Sequence, residues 1–176
     1  MELDGYSMRP IKKTDLDLLL KWRNSPRVHE RMLTDHIITR KEHLDWFEKI
    51  SLESPPRVFL FLFEEKPLGH ISYSWRDEEN KHCSVGVYLG ETRDNPLDGI
   101  MLYVLAAKYG FEILNVEKIY EEVFLDNKEA LMISKYLGYK KTGVSEKACI
   151  KNGVYKDIQH LEMDYNSWAV FCKKRL

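Results

Sequence analysis

The residues best suited to bind a charged ligand lie between Tyr88 and Ile100. An apolar stretch ends near Leu89, a polar loop follows, and Pro96 then stands where a helix can begin. The N-terminus of a helix presents unpaired N–H groups and the positive end of the helix dipole, which together bind phosphate oxygens. Gly99 allows an anion to approach the backbone closely. The segment therefore predicts a phosphate site, and an ordinary capped helix is the alternative.

The most specific pattern runs from Glu122 to Tyr139. A strand ends at residues 126–127, and the helix that follows ends at Gly138. Asn127, Ala130, Gly138 and Tyr139 reproduce the N-x-x-A…G-[FY] pattern of the GNAT superfamily of N-acetyltransferases, which this sequence resembles. The resemblance implies an α/β fold in which helices flank a mixed, mostly antiparallel central sheet. It also implies acetyl-CoA as co-substrate, in a cleft formed by a splayed pair of strands.

The resemblance further implies which residues contact acetyl-CoA. The end of the strand before the loop pairs with the pantetheine amides, the loop and the helix start offer amides to the pyrophosphate, and residues of the later helix meet the cofactor arm. These residues are Val87, Tyr88, Leu89, Asn95, Leu97, Asp98, Gly99, Ile100, Asn127 and Ser134.

Two positions depart from the superfamily pattern. The usual loop reads Q/R-x-x-G-x-G/A, but alignment on Gly99 puts Leu97 at the earlier glycine and Asp94 at the Gln/Arg. Many relatives carry a tyrosine seven residues after the asparagine as the acid that protonates the leaving thiolate, and here that residue is Ser134. Ser134 can hydrogen-bond the thiolate or place a water, and plain packing is the alternative.

Attack of a neutral amine on the thioester requires removal of a proton, stabilisation of the oxyanion and proximity of the reactants. Strand amides near Tyr88 are candidates for the oxyanion contact. Glu122 and His82 are the candidate bases, because each lies on a strand that borders the predicted cleft. The alternatives are a solvated carboxylate and an ordinary surface histidine.

The N-terminal half carries the acceptor side in this superfamily. Its pattern W-R-N-x-P, then Met32, then H-L-x-W-F resembles the acetyltransferases of pseudaminic acid biosynthesis, which act on the 4-amino group of a UDP-linked 4-amino-4,6-dideoxy sugar. Arg23 can pair with a diphosphate, His43 can donate to phosphate, and Met32 can cover a uracil. Packing in the core, on amphipathic helices, is the alternative for Trp22, Met32, Trp46 and Phe47.

Two other functions remain open for the sequence. Relatives that acetylate protein N-termini share a similar W-R-N-like helix, so a peptide acceptor is the enzymatic alternative. Because Ser134 replaces the tyrosine that acts as general acid in many relatives, the non-enzymatic alternative is an acyl-CoA sensor or scaffold without turnover.

Capping residues and the spacing of apolar residues predict the strands and helices that carry these groups. Strands are predicted at residues 6–11, 57–64, 68–76, 83–89, 118–124, 139–148 and 154–163, with turns at 65–66 and 151–153. Helices are predicted at residues 15–24 with Thr14 as cap, at 27–32, after Thr39 in a capping box, from Pro96, and at 128–137.

Composition agrees with one domain, residues 1–176, since 44% hydrophobic and 12% aromatic residues supply a substantial core. A net charge of −1 offers no general attraction to nucleic acid or to an anionic membrane, so neither partner is expected. No apolar run is long enough to span a bilayer, and a cytoplasmic location is expected. The three cysteines lack metal-site spacing, so no metal is expected. A homodimer is compatible with the sequence, which does not specify the oligomeric state.

Overall fold

The computed structural model describes residues 2–51 and 54–175. Eight strands are hydrogen-bonded in the order β1-β2-β3-β4-β5-β6-β8-β7. The pairings are antiparallel for β1/β2, β2/β3, β3/β4, β6/β8 and β7/β8, and β5 pairs with β6 in parallel. The strands are β1 (Glu2–Leu3), β2 (Tyr6–Pro10), β3 (Val58–Phe63), β4 (Lys66–Asp77), β5 (His82–Leu89), β6 (Lys118–Phe124), β7 (Lys140–Lys151) and β8 (Val154–Asp164).

In the described part of the chain, six α-helices accompany these strands. They are α1 (Leu16–Asn24), α2 (Pro26–His29), α3 (Arg40–Ile50), α4 (Leu97–Glu112), α5 (Lys128–Leu137) and α6 (Tyr165–Arg175). The mixed, mostly antiparallel sheet with helices is the predicted fold class, and this prediction is confirmed. Within the described ranges, none of the helices combines the length and apolar character needed to cross a membrane.

The chain forms two compact units, residues 1–72 with 87–105 and residues 73–86 with 106–176. In the first unit, α1 packs on β3 through buried residues of both elements. Strand β3 is buried on both faces, because nearly every residue in it is apolar. The cluster comprises Leu19, Trp22, Leu60 and Leu62, with Ile11, Leu18 and Tyr88 packed against it.

The second unit builds its core from β6, β8 and three helices. Aromatic rings of α4 and α6 stack there, with Phe111 and Trp168 at 6.2 Å between ring centroids. Trp168 also stacks on Phe171, at 5.7 Å. Every residue of β6 pairs with β8, from Lys118↔Asp164 to Phe124↔Ile158. The two strands therefore form a continuous part of the sheet in this unit.

Cap chemistry explains which predicted boundaries are correct. Helix α5 begins after Asn127, whose side chain accepts the N–H of Ala130, and it ends at Gly138 in the left-handed conformation. Helix α3 begins after Thr39, which forms the predicted capping box with Glu42. Both helices have the predicted starts because their caps are local and need no tertiary information.

Several predicted boundaries are wrong. Thr14 does not cap α1, because it lies inside a 3₁₀ turn, Lys13–Asp15, that precedes the helix. The hairpin between β3 and β4 turns at Glu64 and Glu65, which both have positive φ, so Lys66 already belongs to β4. Strand β1 and helix α6 were not predicted at all. A signal for α6 does exist, since Asp164 accepts the N–H of Ser167 at 2.7 Å, as a helix cap does.

Trp22 fixes the chain where it leaves β5. Its indole N–H donates to Glu91 Oε1 at 2.7 Å, and its ring is 2% exposed. A β-carbon built at Gly90 would lie 1.9 Å from the ring. Since the indole is enclosed by core residues, it has no room to move away.

We predict that Gly90→Ala destabilises the protein by about 2 kcal/mol or more, because the added methyl group overpacks the Trp22 ring. Gly143→Ala is the matched control, since no atom lies within 4 Å of the β-carbon that it would add. Urea unfolding monitored by tryptophan fluorescence measures both. Equal stability of the two variants would contradict the packing described for Trp22.

Candidate functional site

A network of polar side chains holds the turn that leads into α4. The buried Asp98 carboxylate accepts from Tyr6 Oη at 2.7 Å and from Arg93 Nη2 at 2.5 Å. Burial acts to raise the pKa of Asp98, but the hydrogen bonds from Arg93 and Tyr6 outweigh it and lower the pKa. Asn95 joins the network by donating to Tyr6 Oη at 3.1 Å. The start of α4 is therefore fixed by side chains from β2 and from the loop.

This network changes the prediction for the phosphate site. The N–H of Leu97 donates to Asn95 Oδ1 at 3.1 Å, and the N–H of Asp98 donates to Asn95 O at 3.2 Å. Asn95 therefore caps both amides, and their contact with the pyrophosphate stays a prediction. Gly99 and Ile100 are the amides on which the predicted contact still depends.

The end of β5 is tied to neighbouring chain segments. The amides of Gly90 and Glu91 both donate to Leu68 O, at 2.8 and 3.0 Å, and Arg27 donates to Leu89 O. Strand β4 approaches closely at Gly69, where a β-carbon would lie 2.5 Å from Tyr88 O. The predicted cofactor residues Val87, Tyr88 and Leu89 thus lie on a strand end whose path is fixed.

Arg23 forms no ion pair with a carboxylate among the residues that the structure describes. Its side chain is half-buried, and its Nη1 atom is buried and makes no hydrogen bond to any of those residues. Burial lowers the pKa of Arg23, and the opposing influence comes from Tyr88 and not from a carboxylate. A buried N–H group without a partner is unfavourable, so Arg23 is a candidate for binding an anion.

Two pairs of aromatic rings lie in the same unit as Arg23. His70 stacks on Tyr88 at 4.8 Å between centroids, and Trp46 stacks on His43 at 5.0 Å. Burial, with contributions from Arg23 and His43, lowers the pKa of His70 to about 3, so the ring is neutral. Its Nδ1 is a second buried nitrogen without a hydrogen-bond partner within the described part of the chain. Sequence reasoning missed His70, although its apolar neighbours on β4 place it in a buried strand.

His43 and Met32 differ in how accessible the structure leaves them. His43 is 7% exposed and its Nε2 lies 3.0 Å from Leu16 O, which favours packing over the predicted phosphate contact. Met32 is half-buried in a bend after α2. Asn24 fixes the loop that contains Met32 by two hydrogen bonds to the backbone of Ile38. Its Nδ2 donates to Ile38 O and its Oδ1 accepts from the Ile38 N–H, both at 2.9 Å. Met32 thus lies in a loop that α1 holds in place.

In the second unit, Ser134 faces inward. Its side chain is fully buried, and Oγ lies 2.7 Å from Glu121 Oε2 and 2.9 Å from Ala130 O. This geometry favours packing, the alternative for Ser134, and its contact with the thiolate stays a prediction. Asn127 uses its side-chain oxygen to cap α5, at 3.4 Å from the Ala130 N–H.

Glu121 explains the orientation of Ser134. Burial raises the pKa of Glu121 to about 7, although hydrogen bonds with Ser134 and Tyr139 act to lower it. A serine hydroxyl has one proton, yet Ser134 Oγ has two oxygen neighbours. A protonated Glu121 satisfies both contacts, since it donates to Oγ while Oγ donates to Ala130 O. The alternation of β6 could have shown that Glu121 shares its buried face with Ile119 and Val123.

The two predicted bases lie on a more exposed face of the same unit. Glu122 Oε1 accepts from Arg76 Nη2 at 2.5 Å and lies 3.7 Å from His160 Nδ1. The His82 ring meets the edge of Tyr120 at 5.7 Å, and Arg76 lies over that same tyrosine. Sequence reasoning missed Arg76 and His160, because strand pairing brings them to Glu122 from distant parts of the chain.

Comparison with known proteins places this geometry in a family. The acetyltransferase (GNAT) domain family matches residues 7–140. Two versions of acetyltransferase PseH from Campylobacter jejuni are 29% and 32% identical over 123 residues, which cover 70% of this chain and 75% of each relative. The chain belongs to the GNAT acetyltransferase family. It is an acetyl-CoA-dependent N-acetyltransferase.

Solved structures agree on the fold of this GNAT chain. Spermidine N-acetyltransferase from Vibrio cholerae, in complex with CoA and spermine, has a TM-score of 0.88 at 17% identity, covering 95% of this chain and 99% of its own. The structure of yncA from Salmonella typhimurium, with acetyl-CoA, has a TM-score of 0.76 at 17% identity, covering 91% and 94%. At this identity the similarity shows the fold alone.

We predict that the stability of the protein falls as pH rises through 7, because Glu121 is folded as a neutral acid. Its pKa is about 7 in the folded protein, against an ordinary value of 4.5 for a glutamate side chain. The stabilisation is thus complete below the pKa of the unfolded state and is lost as pH rises through the pKa of the folded state. At roughly 1.4 kcal/mol per pH unit, the free energy of unfolding changes by a few kcal/mol in total.

Thermal unfolding from pH 5 to pH 8.5 measures this effect. Between these two pH values, the decrease in Tm should be smaller by about 5 °C in Glu121→Gln than in wild type. Glu122→Gln, the neighbouring exposed carboxylate, should keep the wild-type slope. A slope unchanged by Glu121→Gln would show that Glu121 does not titrate as described.

Proposed function

We propose that this GNAT enzyme transfers the acetyl group of acetyl-CoA to the 4-amino group of a UDP-linked 4-amino-4,6-dideoxy sugar. The observation that carries the proposal is the half-buried side chain of Arg23, whose Nη1 atom is buried without a hydrogen bond and which has no acidic partner among the described residues. A diphosphate would supply the missing negative charge and would accept the unused N–H groups in bidentate geometry.

The likeness to PseH supports this choice of acceptor. Acetyltransferases of pseudaminic acid biosynthesis act on a nucleotide-linked amino sugar, and the PseH relatives match most of the chain. Met32 and the rings near Arg23 offer apolar surface of the kind that covers a flat base. His43 is proposed only as support for this surface, since its Nε2 already contacts Leu16 O.

The residues of the first unit fit acetyl-CoA. The strand end Val87–Leu89 offers backbone groups for the pantetheine arm, and the first turn of α4 offers the amides of Gly99 and Ile100 for the pyrophosphate. The negative charge of Asp98 does not oppose an anion there, because Arg93 neutralises it. In the second unit, Asn127 is assigned to the cofactor by the family pattern. Acetyl-CoA supplies the acetyl group as a thioester.

The chain contributes mainly binding and orientation to this reaction. Both substrates are proposed to be bound together, so that the amine attacks the thioester directly and no residue is acetylated. Amides near Tyr88 stabilise the developing oxyanion. Glu122 and His82, on the paired strands β6 and β5, are the proposed proton acceptors.

A direct assay follows free CoA thiol while the protein is incubated with acetyl-CoA and a panel of amines. The panel holds UDP-4-amino sugars, the same sugars without UDP, spermidine and N-terminal peptides. Thiol release is expected to be fastest with the UDP-linked sugars. Faster release with peptides or with spermidine would reject the nucleotide-sugar acceptor, and release at the acceptor-free rate throughout would reject turnover.

We predict that Arg23→Met raises the KM for the UDP-linked sugar by roughly 10-fold to 100-fold, in line with loss of a charged hydrogen bond worth about 1.5–3 kcal/mol. The KM for acetyl-CoA should change less than twofold. Lys21→Met is the control, because Lys21 is exposed on the same helix. Steady-state kinetics with both substrates provide the measurement. An equal rise for the sugar without UDP would contradict the role of Arg23 in binding diphosphate.

A further inference from the structure

His70 on β4 is a buried polar residue in an apolar part of the first unit. Its side chain is 7% exposed, and its neighbours on the strand are buried as well. His70 pairs with Leu60 of β3, so the two side chains lie on the same face of the sheet. Leu60 belongs to the buried cluster that Leu19 and Trp22 of α1 complete. The imidazole therefore faces α1, the helix that carries Arg23.

Tyr88 connects His70 with Arg23. Its ring stacks on the imidazole, with 4.8 Å between centroids and 16° between the planes. Burial lowers the pKa of Arg23, and Tyr88 is the group that opposes this change. Burial is also the main reason that the pKa of His70 is lowered to about 3, with further contributions from the charges of Arg23 and His43. The guanidinium and the imidazole are therefore electrostatic neighbours on one side of β4.

Each of these neighbours has one buried nitrogen without a hydrogen-bond partner in the described part of the chain, Nη1 of Arg23 and Nδ1 of His70. A buried polar atom without a partner is unfavourable, and a leucine would fill the position of His70 on this apolar strand without that cost. Packing therefore does not explain the imidazole. A phosphate group explains both atoms, because its oxygens accept hydrogen bonds from a guanidinium and from an imidazole N–H.

We infer that His70 is a specificity-determining residue of the acceptor site, and that its Nδ1–H donates a hydrogen bond to the phosphate anion that Arg23 binds. The inference rests on the proposed binding of a nucleotide-linked sugar at Arg23. The ring must then be the Nδ1–H tautomer, since a lone pair on Nδ1 would repel a phosphate oxygen. Because the imidazole is neutral, the site offers the phosphate one cation and one neutral donor, and the free protein avoids a second buried cation beside Arg23.

Calorimetric titration with UDP and with uridine, in the presence of CoA, tests the inference. His70→Leu removes the donor and keeps an apolar side chain, so UDP should bind about 10-fold more weakly while the affinity for uridine changes less than about twofold. His70→Asn places an amide N–H near the position of Nδ1, and it should bind UDP within about threefold of wild type. The Tm of free His70→Leu should not fall below that of wild type, because the variant loses an unpartnered polar atom.

Arg23→Met shows whether the two residues bind the same anion. In this background, His70→Leu should change the affinity for UDP less than about twofold, because the phosphate is no longer held near the imidazole. His36→Leu is the control for loss of a histidine, since His36 is exposed in the same unit and pairs with Glu42. It should bind UDP as wild type does.

A histidine that only packs in the core would give a different result. His70→Leu would then bind UDP as tightly as wild type, or would lose affinity for UDP and uridine alike, and either result would overturn this inference alone. A wild type that binds UDP no more tightly than uridine would overturn the diphosphate role of Arg23 and this inference together.

Imidazole nitrogen NMR of the wild type provides a second measurement that does not depend on the folding of His70→Leu. UDP should shift the Nδ1 resonance that is missing from the spectrum of His70→Asn, and uridine should leave it in place. A resonance that UDP leaves unchanged would overturn the inference as well.

Discussion

The charge of Arg23 is the constraint on which the acceptor side of the molecule depends. Helix α1 directs Trp22 into the core and Asn24 to the loop at Ile38, and these two anchors leave Arg23 pointing toward Tyr88 and His70. A half-buried cation with one buried N–H group unpaired is unfavourable for folding alone. The bound anion that we propose would offset this cost, and the W-R-N sequence would then serve both packing and recognition.

A second constraint acts on β6, where two adjacent glutamates have different environments. Glu121 faces the buried side and forms a hydrogen bond with Ser134, whereas Glu122 faces the opposite side of the sheet and forms an ion pair with Arg76. The period of two along a strand is enough to separate a neutral acid from an anion at neighbouring positions. The replacement of the family tyrosine by Ser134 fits this arrangement, since a serine is small enough to be enclosed beside Glu121.

Features of the fold and the candidate site that depend on residues close together in the sequence could be predicted, and features that depend on distant residues could not. The caps of α3 and α5 and the strand β6 were predicted because Thr39, Asn127 and the apolar alternation act within a few residues. The hairpin at Glu64 was misplaced because the turn uses two non-glycine residues with positive φ, which no sequence rule favours. The start of α4 was correct, but the use of its amides by Asn95 depends on side-chain geometry. Glu122 was found from its strand, while His160 and Arg76 depend on pairing between strands distant in sequence.

Binding of a phosphate anion by Arg23 is the central claim about the acceptor site. Calorimetric titration of the protein with UDP and with uridine, in the presence of CoA and at two salt concentrations, tests it without turnover. UDP should bind more tightly than uridine by about 10-fold or more, with a preference that weakens as salt rises and disappears in Arg23→Met. Equal affinity for UDP and uridine, or a preference for UDP that survives Arg23→Met, would contradict the claim.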